Sequence, residues 1–155
     1  KTLDRVLFQR SQTFFGHPDA AGYELSADVM TDGTRRRMGV VGVVNQRYIV
    51  ALDGNKRLLE VHSNYDRVQH GVPFQVKPKV WYRLKTRVDV ASDGSGVVRA
   101  KAWPRGEAEP PQWQLEYTHP RAHTHGAPGV FGFGPQSQVS VYVDNIQLSD
   151  AGGAP

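Results

Sequence analysis

Between residues 81 and 105 the chain alternates apolar and polar positions twice over. Tyr82, Leu84, Val88 and Val90 interleave with Trp81, Arg83, Lys85, Arg87 and Asp89, and then Val98, Ala100 and Ala102 interleave with Val97, Arg99, Lys101 and Trp103. A period of two belongs to a strand with one buried and one wet face, so two strands are predicted. Asp93-Gly94 between them supplies the backbone freedom of a hairpin loop. The faces match only if paired residue numbers add to an even total, which leaves Arg87 or Asp89 opposite Arg99. Asp89 is the predicted partner, because the other register sets Arg against Arg and Lys against Lys.

The same reading predicts further strands along the chain. Residues 22–31 alternate and stop at Asp32-Gly33, and residues 47–53 and 56–63 form a second hairpin about Asp53-Gly54-Asn55. Residues 38–45 (MGVVGVVN) are apolar on both faces and predict a central strand covered on each side, with Gly39 and Gly42 marking close approach of another backbone. Shorter strands are predicted at 72–76, 112–118, 129–134 and 138–148, with edge strands at Val6-Leu7-Phe8 and Thr13-Phe14-Phe15. Residues 64–71 and the histidine-rich stretch 119–128 are predicted loops, and Arg35, Arg36 and Arg37 a solvated turn. No window carries a capped helical period. Ten or so short strands in one domain predict an all-β fold, a two-sheet antiparallel β-sandwich or jelly roll.

Composition adds bounds. With 155 residues and 39% apolar content the chain suits one domain, placed at 1–150, followed by a linker-like tail at 151–155. There is no cysteine, hence no disulfide scaffold, and the longest apolar run, 38–44, is far short of a membrane span. The chain opens with Lys1 and without a basic-then-apolar leader, which predicts a mature form or a piece of a longer protein. The formal charge of +4 is matched by residues 81–105 alone, where six cations face Asp89 and Asp93. That excess is small for a nucleic-acid partner, so none is predicted.

Charge and aromatics together nominate a site. Arg83, Lys85, Arg87, Arg99 and Lys101 share a face with Trp103, which is predicted to be partly exposed and to stack on a sugar ring while the cations meet an anionic glycan. The alternative location is the pair of loops carrying Tyr65 and His123. His119, His123 and His125 have a metal-like spacing, but a loop broken by Pro120, Gly126 and Pro128 reads as an exposed polar segment. Asp144, set among Tyr142, Val143 and Ile146, is predicted to be buried and structural, held by backbone donors or by a metal.

The order of landmarks, Trp81-Tyr82-Arg83-Leu84, Asp93-Gly94, Lys101-Ala102-Trp103-Pro104, Trp113, Gly129-Val130-Phe131-Gly132-Phe133 and Val143-Asp144-Asn145-Ile146, resembles the concanavalin A-like lectin/glucanase superfamily. Its laminin-G-like accessory domains in secreted bacterial proteins are the nearest likeness. The resemblance implies a concanavalin A-like jelly roll over about residues 6–149, and it allows a structural calcium with no other cofactor. Glycosidases of the superfamily carry Glu-x-Asp-x-x-Glu on one strand, and here only Glu24 and Asp28 share a face. The Gln-Ile-His strand of the alginate-lyase branch is not matched by Glu60-Val61-His62. The expectation is therefore a noncatalytic carbohydrate-binding module of a larger secreted protein, extracellular or periplasmic, binding an oligosaccharide or polysaccharide without membrane insertion. The alternative is a structural or protein-interaction domain contacting other domains of its parent, and a glycan hydrolase or lyase is third.

Overall fold

The computed structural model describes residues 9–134 and 139–151, and among these every regular element is a strand. One sheet of six is ordered β1 (Gln9–Phe14), β10 (Gly129–Gly134), β3 (Val40–Asn45), β4 (Tyr48–Asp53), β5 (Leu58–Ser63) and β6 (Gln69–Pro73). The other, of five, is ordered β11 (Val141–Asp150), β2 (Tyr23–Thr31), β7 (Tyr82–Val90), β8 (Gly96–Pro104) and β9 (Leu115–His119). All neighbouring pairs are antiparallel. The protein is thus an all-β, two-sheet jelly roll, as the period-two pattern predicts.

Each strand turns alternate side chains inward. Leu25, Ala27, Val29, Leu84, Val88, Val98, Ala100 and Leu115 from one sheet meet Val41, Val43, Val50, Leu52, Leu59 and Val61 from the other in the main core. β3 is buried along its whole length because a second cluster, Val40, Val44, Ile49, Ala51 and Phe131, packs on the opposite face of its sheet. Gly42 is required there: a Cβ would lie 2.0 Å from the Val50 carbonyl oxygen.

Several boundaries differ from expectation. The strand expected at 72–76 is β6, at Gln69–Pro73, where Gln69 pairs with His62 and takes up part of the predicted loop. His119 ends β9 and is buried, so the histidine-rich loop starts one residue later than the pattern suggests. β11 runs on to Asp150. The burst at Val6-Leu7-Phe8 lies outside the described residues.

The central hairpin forms in the register that the charge argument rejected. Arg87 stands opposite Arg99 and Lys85 opposite Lys101, while Asp89 faces Val97. The loop fixes this pairing. Gly94 at φ +84° closes a turn in which its N–H donates to the Ala91 carbonyl at 3.0 Å, the Ala91 N–H donates to the Ser95 carbonyl at 2.8 Å, and Asp93 accepts the Ser95 N–H at 2.9 Å. Val90 is thereby set opposite Gly96, and every later pair follows. Like charges tolerate the register because carboxylates reach them from other directions.

Candidate functional site

The hairpin face brings all the nominated cations together, each with an acid. Lys85 lies 3.0 Å from both Glu24 and Glu109, and Lys101 lies 2.7 Å from Glu109. Arg87 meets Asp89 at 2.8 Å, and Arg99 meets both Asp89 and Glu116, the latter at 2.9 Å. Burial works against the Lys85 ammonium, but Glu109 and Glu24 outweigh it and raise its pKa. Glu109, contributed by the acidic connection after β8, is in turn held below the usual carboxylate range, its own desolvation outweighed by Lys101 and Lys85. Trp103 is buried rather than partly exposed, at 9% of its free area, because the connection folds back over β8 with Glu109 and Pro110 against Lys101. The aromatic that meets Lys101 is Trp113, with the ammonium 4.8 Å from its ring centre. A cleft of about 520 Å³ remains, lined by Arg83, Lys85, Trp103, Glu109 and Gln147 among others.

Asp144 is exposed, and among the described residues its Oδ1 accepts only the Asn145 N–H, at 2.8 Å. The buried carboxylate is its cross-strand neighbour Asp28, on an interior strand rather than the sheet edge. Asp28 accepts from Asn145 Nδ2 at 2.6 Å and Arg83 Nη1 at 3.3 Å, with Arg105 3.6 Å away. Arg83 also donates to Ser26 Oγ and to the Asn145 carbonyl, each at 2.7 Å, and to Gln147. A bulge between Asp144 and Gln147, with Asn145 at φ +48°, points that carbonyl at the guanidinium. This arrangement does not fit a calcium ion: the Asp28 oxygens already face two cations and an amide. Among the described residues no group of three or more His, Asp or Glu side chains is placed to hold a metal.

The opposite surface of the molecule, the outer face of the six-stranded sheet, holds two clefts that meet at Asn64. The first, about 520 Å³, is lined by Arg10 of β1, Glu60 and His62 of β5, Gln69 of β6, Lys56, and the loop residues Asn64, Asp66 and Arg67. The second, about 400 Å³, is lined by Phe14 of β1, Val44, Ile49, Arg47, Tyr65 and Gly126. One row across the sheet, Phe14, Gly129, Val44, Ile49, His62 and Gln69, links the two. Tyr65 is 68% exposed, with the Arg47 guanidinium 5.3 Å from its ring centre.

His62 sits edge-on to Phe131, 5.7 Å between ring centres, and makes no hydrogen bond among the described residues. Burial lowers its pKa to about 4, helped by Arg10 and Lys56 and opposed by Asp53, so the imidazole is neutral at pH 7. Lys56 bridges two carboxylates on this face, Asp53 at 3.1 Å and Glu60 at 3.2 Å.

Behind Tyr65, the histidine loop braces the loop that carries it. His119 Nδ1 is 2.7 Å from the buried Tyr48 hydroxyl, and its Nε2 is 3.4 Å from Asp66. His123 Nε2 is 2.9 Å from Ser63 Oγ, which accepts the Tyr65 N–H at 3.1 Å. Burial lowers the His123 pKa, with His119 and Arg47 adding to the effect. Tyr65 and His123, from the two loops named as the alternative location, lie 6.1 Å apart between ring centres. Arg10, Phe14, Asn64 and Arg67 were not foreseen, since only the strand order brings them to one surface.

No protein-family model matches the sequence, and no curated protein matches it. Solved structures do resemble it. A single mutant of congerin II aligns over 91% of this chain and 100% of its own, with a TM-score of 0.51 and 11% identity. The PL-14 alginate lyase from Aplysia kurodai aligns over 83% and 69%, at 0.52 and 14%. A bifunctional GH43-CE protein of Bacteroides eggerthii aligns over 93% of this chain but 24% of its own, at 0.53 and 9%. At such identities the likeness is one of fold alone, and the fold is the concanavalin A-like jelly roll.

Proposed function

We propose that this β-sandwich is a noncatalytic carbohydrate-binding module that holds an oligosaccharide along the outer face of its six-stranded sheet. The observation that carries the reading is the pair of clefts meeting at Asn64, with the exposed Tyr65 ring at one end and, at the other, the His62 imidazole, which makes no hydrogen bond among the described residues. Their volumes are those of small-ligand sites. A tyrosine offers a flat apolar face to a sugar ring, and a neutral imidazole offers one donor and one acceptor to hydroxyls. Of the carboxylates at this cleft, Asp53 and Glu60 are engaged by Lys56 and Asp66 lies 3.4 Å from His119 Nε2, which favours binding over acid–base catalysis. The jelly-roll fold, shared with congerin II, is in keeping with this, as is an accessory role in a larger secreted protein, extracellular or periplasmic.

The hairpin face of Arg83, Lys85, Arg87, Arg99, Lys101 and Trp103 is the competing surface for an anionic glycan. A ligand there must displace Glu109 or Asp89 from cations they already neutralise. A glycan array at low and high salt decides between the two. Tyr65→Ala is expected to weaken the best array ligand at least about tenfold while Lys85→Gln leaves it unchanged; the reverse pattern, or no saturable binding, overturns the assignment. A protein-interaction role draws on one observation, the edge strand β11 with Ile146 and Leu148 exposed.

A further inference from the structure

Resting on that reading, we propose that the cleft at Arg10, His62 and Arg67 is an acid subsite, receiving the carboxylate of a uronic-acid residue next to the sugar stacked on Tyr65. The side chains lining this cleft hold three cations, Arg10, Lys56 and Arg67, against two acids, Glu60 and Asp66, with Asp53 beside Lys56. Lys56 is bound to Asp53 and Glu60, and Asp66 faces His119. Arg10 and Arg67 line the same cleft and make no salt bridge among the described residues. On the hairpin face, by contrast, Arg83, Lys85, Arg87, Arg99 and Lys101 each have a carboxylate within 3.3 Å. Among the described residues this surface thus combines two guanidiniums that make no salt bridge with a cleft, the His62 imidazole and the neighbouring exposed Tyr65 ring.

The chemistry of the three groups fits a carboxylate on a sugar better than a bare anion. A guanidinium presents parallel N–H donors that match the two oxygens of a carboxylate. His62, held neutral by burial and by the positive field of Arg10 and Lys56, keeps an acceptor that a sugar hydroxyl can use and that a sulfate ion, which carries no proton, cannot. Gln69 and Asn64, exposed on the same lining, add amide donors and acceptors. Asn64 also lines the Tyr65 cleft, so the acidic ring and the stacked ring are neighbours along one saccharide chain.

Isothermal titration tests this with a panel of oligouronates, each paired with its carboxyl-reduced neutral counterpart, alongside a sulfated neutral oligosaccharide and inorganic sulfate. At least one oligouronate is expected to bind about tenfold or more tighter than its reduced partner, or about 1.4 kcal/mol. The double variant Arg10→Gln, Arg67→Gln should abolish that preference by weakening the oligouronate more than its reduced partner, whereas Tyr65→Ala should weaken both ligands and keep the preference. Equal binding of every acid and its reduced partner overturns the inference while leaving the Tyr65 site standing. So does stronger binding of the sulfated sugar or of free sulfate, or a preference removed by Lys85→Gln, Lys101→Gln instead. Binding of no saccharide, or binding indifferent to Tyr65→Ala, overturns the reading beneath it as well.

Discussion

Removing the His62 imidazole should change how stability depends on pH. Its pKa falls from an ordinary 6.5 to about 4, chiefly through burial and secondarily through Arg10 and Lys56. The unfolded chain therefore takes up this proton more readily than the folded one. Stability that is present in full above pH 6.5 is lost as pH falls toward 4 and is then constant. The gap of about 2.5 pH units corresponds to about 3 kcal/mol in a dry site, and the part of the ring open to the cleft reduces that to about 1–2 kcal/mol. Urea unfolding of the wild type and His62→Gln in steps from pH 7.5 to 4 isolates the contribution, because the other histidines cancel in the difference. The wild type's stability relative to the variant should fall by about 1–2 kcal/mol across the window. A difference constant with pH would refute the reasoning, because it would mean that the folded structure does not lower this pKa.

Asp28→Ala leaves Arg83 in place without its carboxylate and should cost about 2–4 kcal/mol in chemical denaturation, whereas Asp144→Ala should stay within about 0.5 kcal/mol. Neither variant nor wild type should change melting temperature on chelation of calcium, because the Asp28 oxygens already have their partners. Gly42→Ala forces a methyl group against the Val50 carbonyl and should cost about 3 kcal/mol or more, while Gly94→Ala, in open space at φ +84°, should cost about 1 kcal/mol through backbone strain alone. Equal losses at the two glycines, read from melting curves, would show that β3 yields where the register says it is wedged.

The period-two faces were legible because each strand's burial is a local property: residues 82–90 alternate buried and intermediate positions along nearly their whole length. Charge partners are not local, and there the reading failed in an instructive way. A rule for directly opposed pairs chose Asp89 for Arg99, but an arginine is long enough to meet the same carboxylate on the diagonal, two pairs further along. Glu109 neutralises Lys85 and Lys101 from a connection that no strand pattern places over the sheet. The same limit exchanged the fates of Asp28 and Asp144, which share a face and oppose each other. Only the strand order, with β2 inside and β11 at the edge, decides which is buried.

Tyr65 and His123 could be named from the sequence as an aromatic and an imidazole in separate loops, but not what joins them. Ser63 holds the Tyr65 backbone and His123 together, and His119 reaches Asp66 from the end of β9, across more than fifty residues of chain. Arg10 enters because β1 pairs with β10, a contact spanning most of the chain. A binding surface assembled at the greatest sequence separation leaves no spacing motif behind, so its parts look like isolated surface residues until the sheet order is known. The hairpin produced the opposite impression, since its cations are close in sequence and their acids are not. Local charge density therefore pointed to the sheet whose charges are cancelled. The cleft whose guanidiniums make no salt bridge among the described residues lies on the other sheet, where Arg10 and Arg67 are 57 positions apart in the chain.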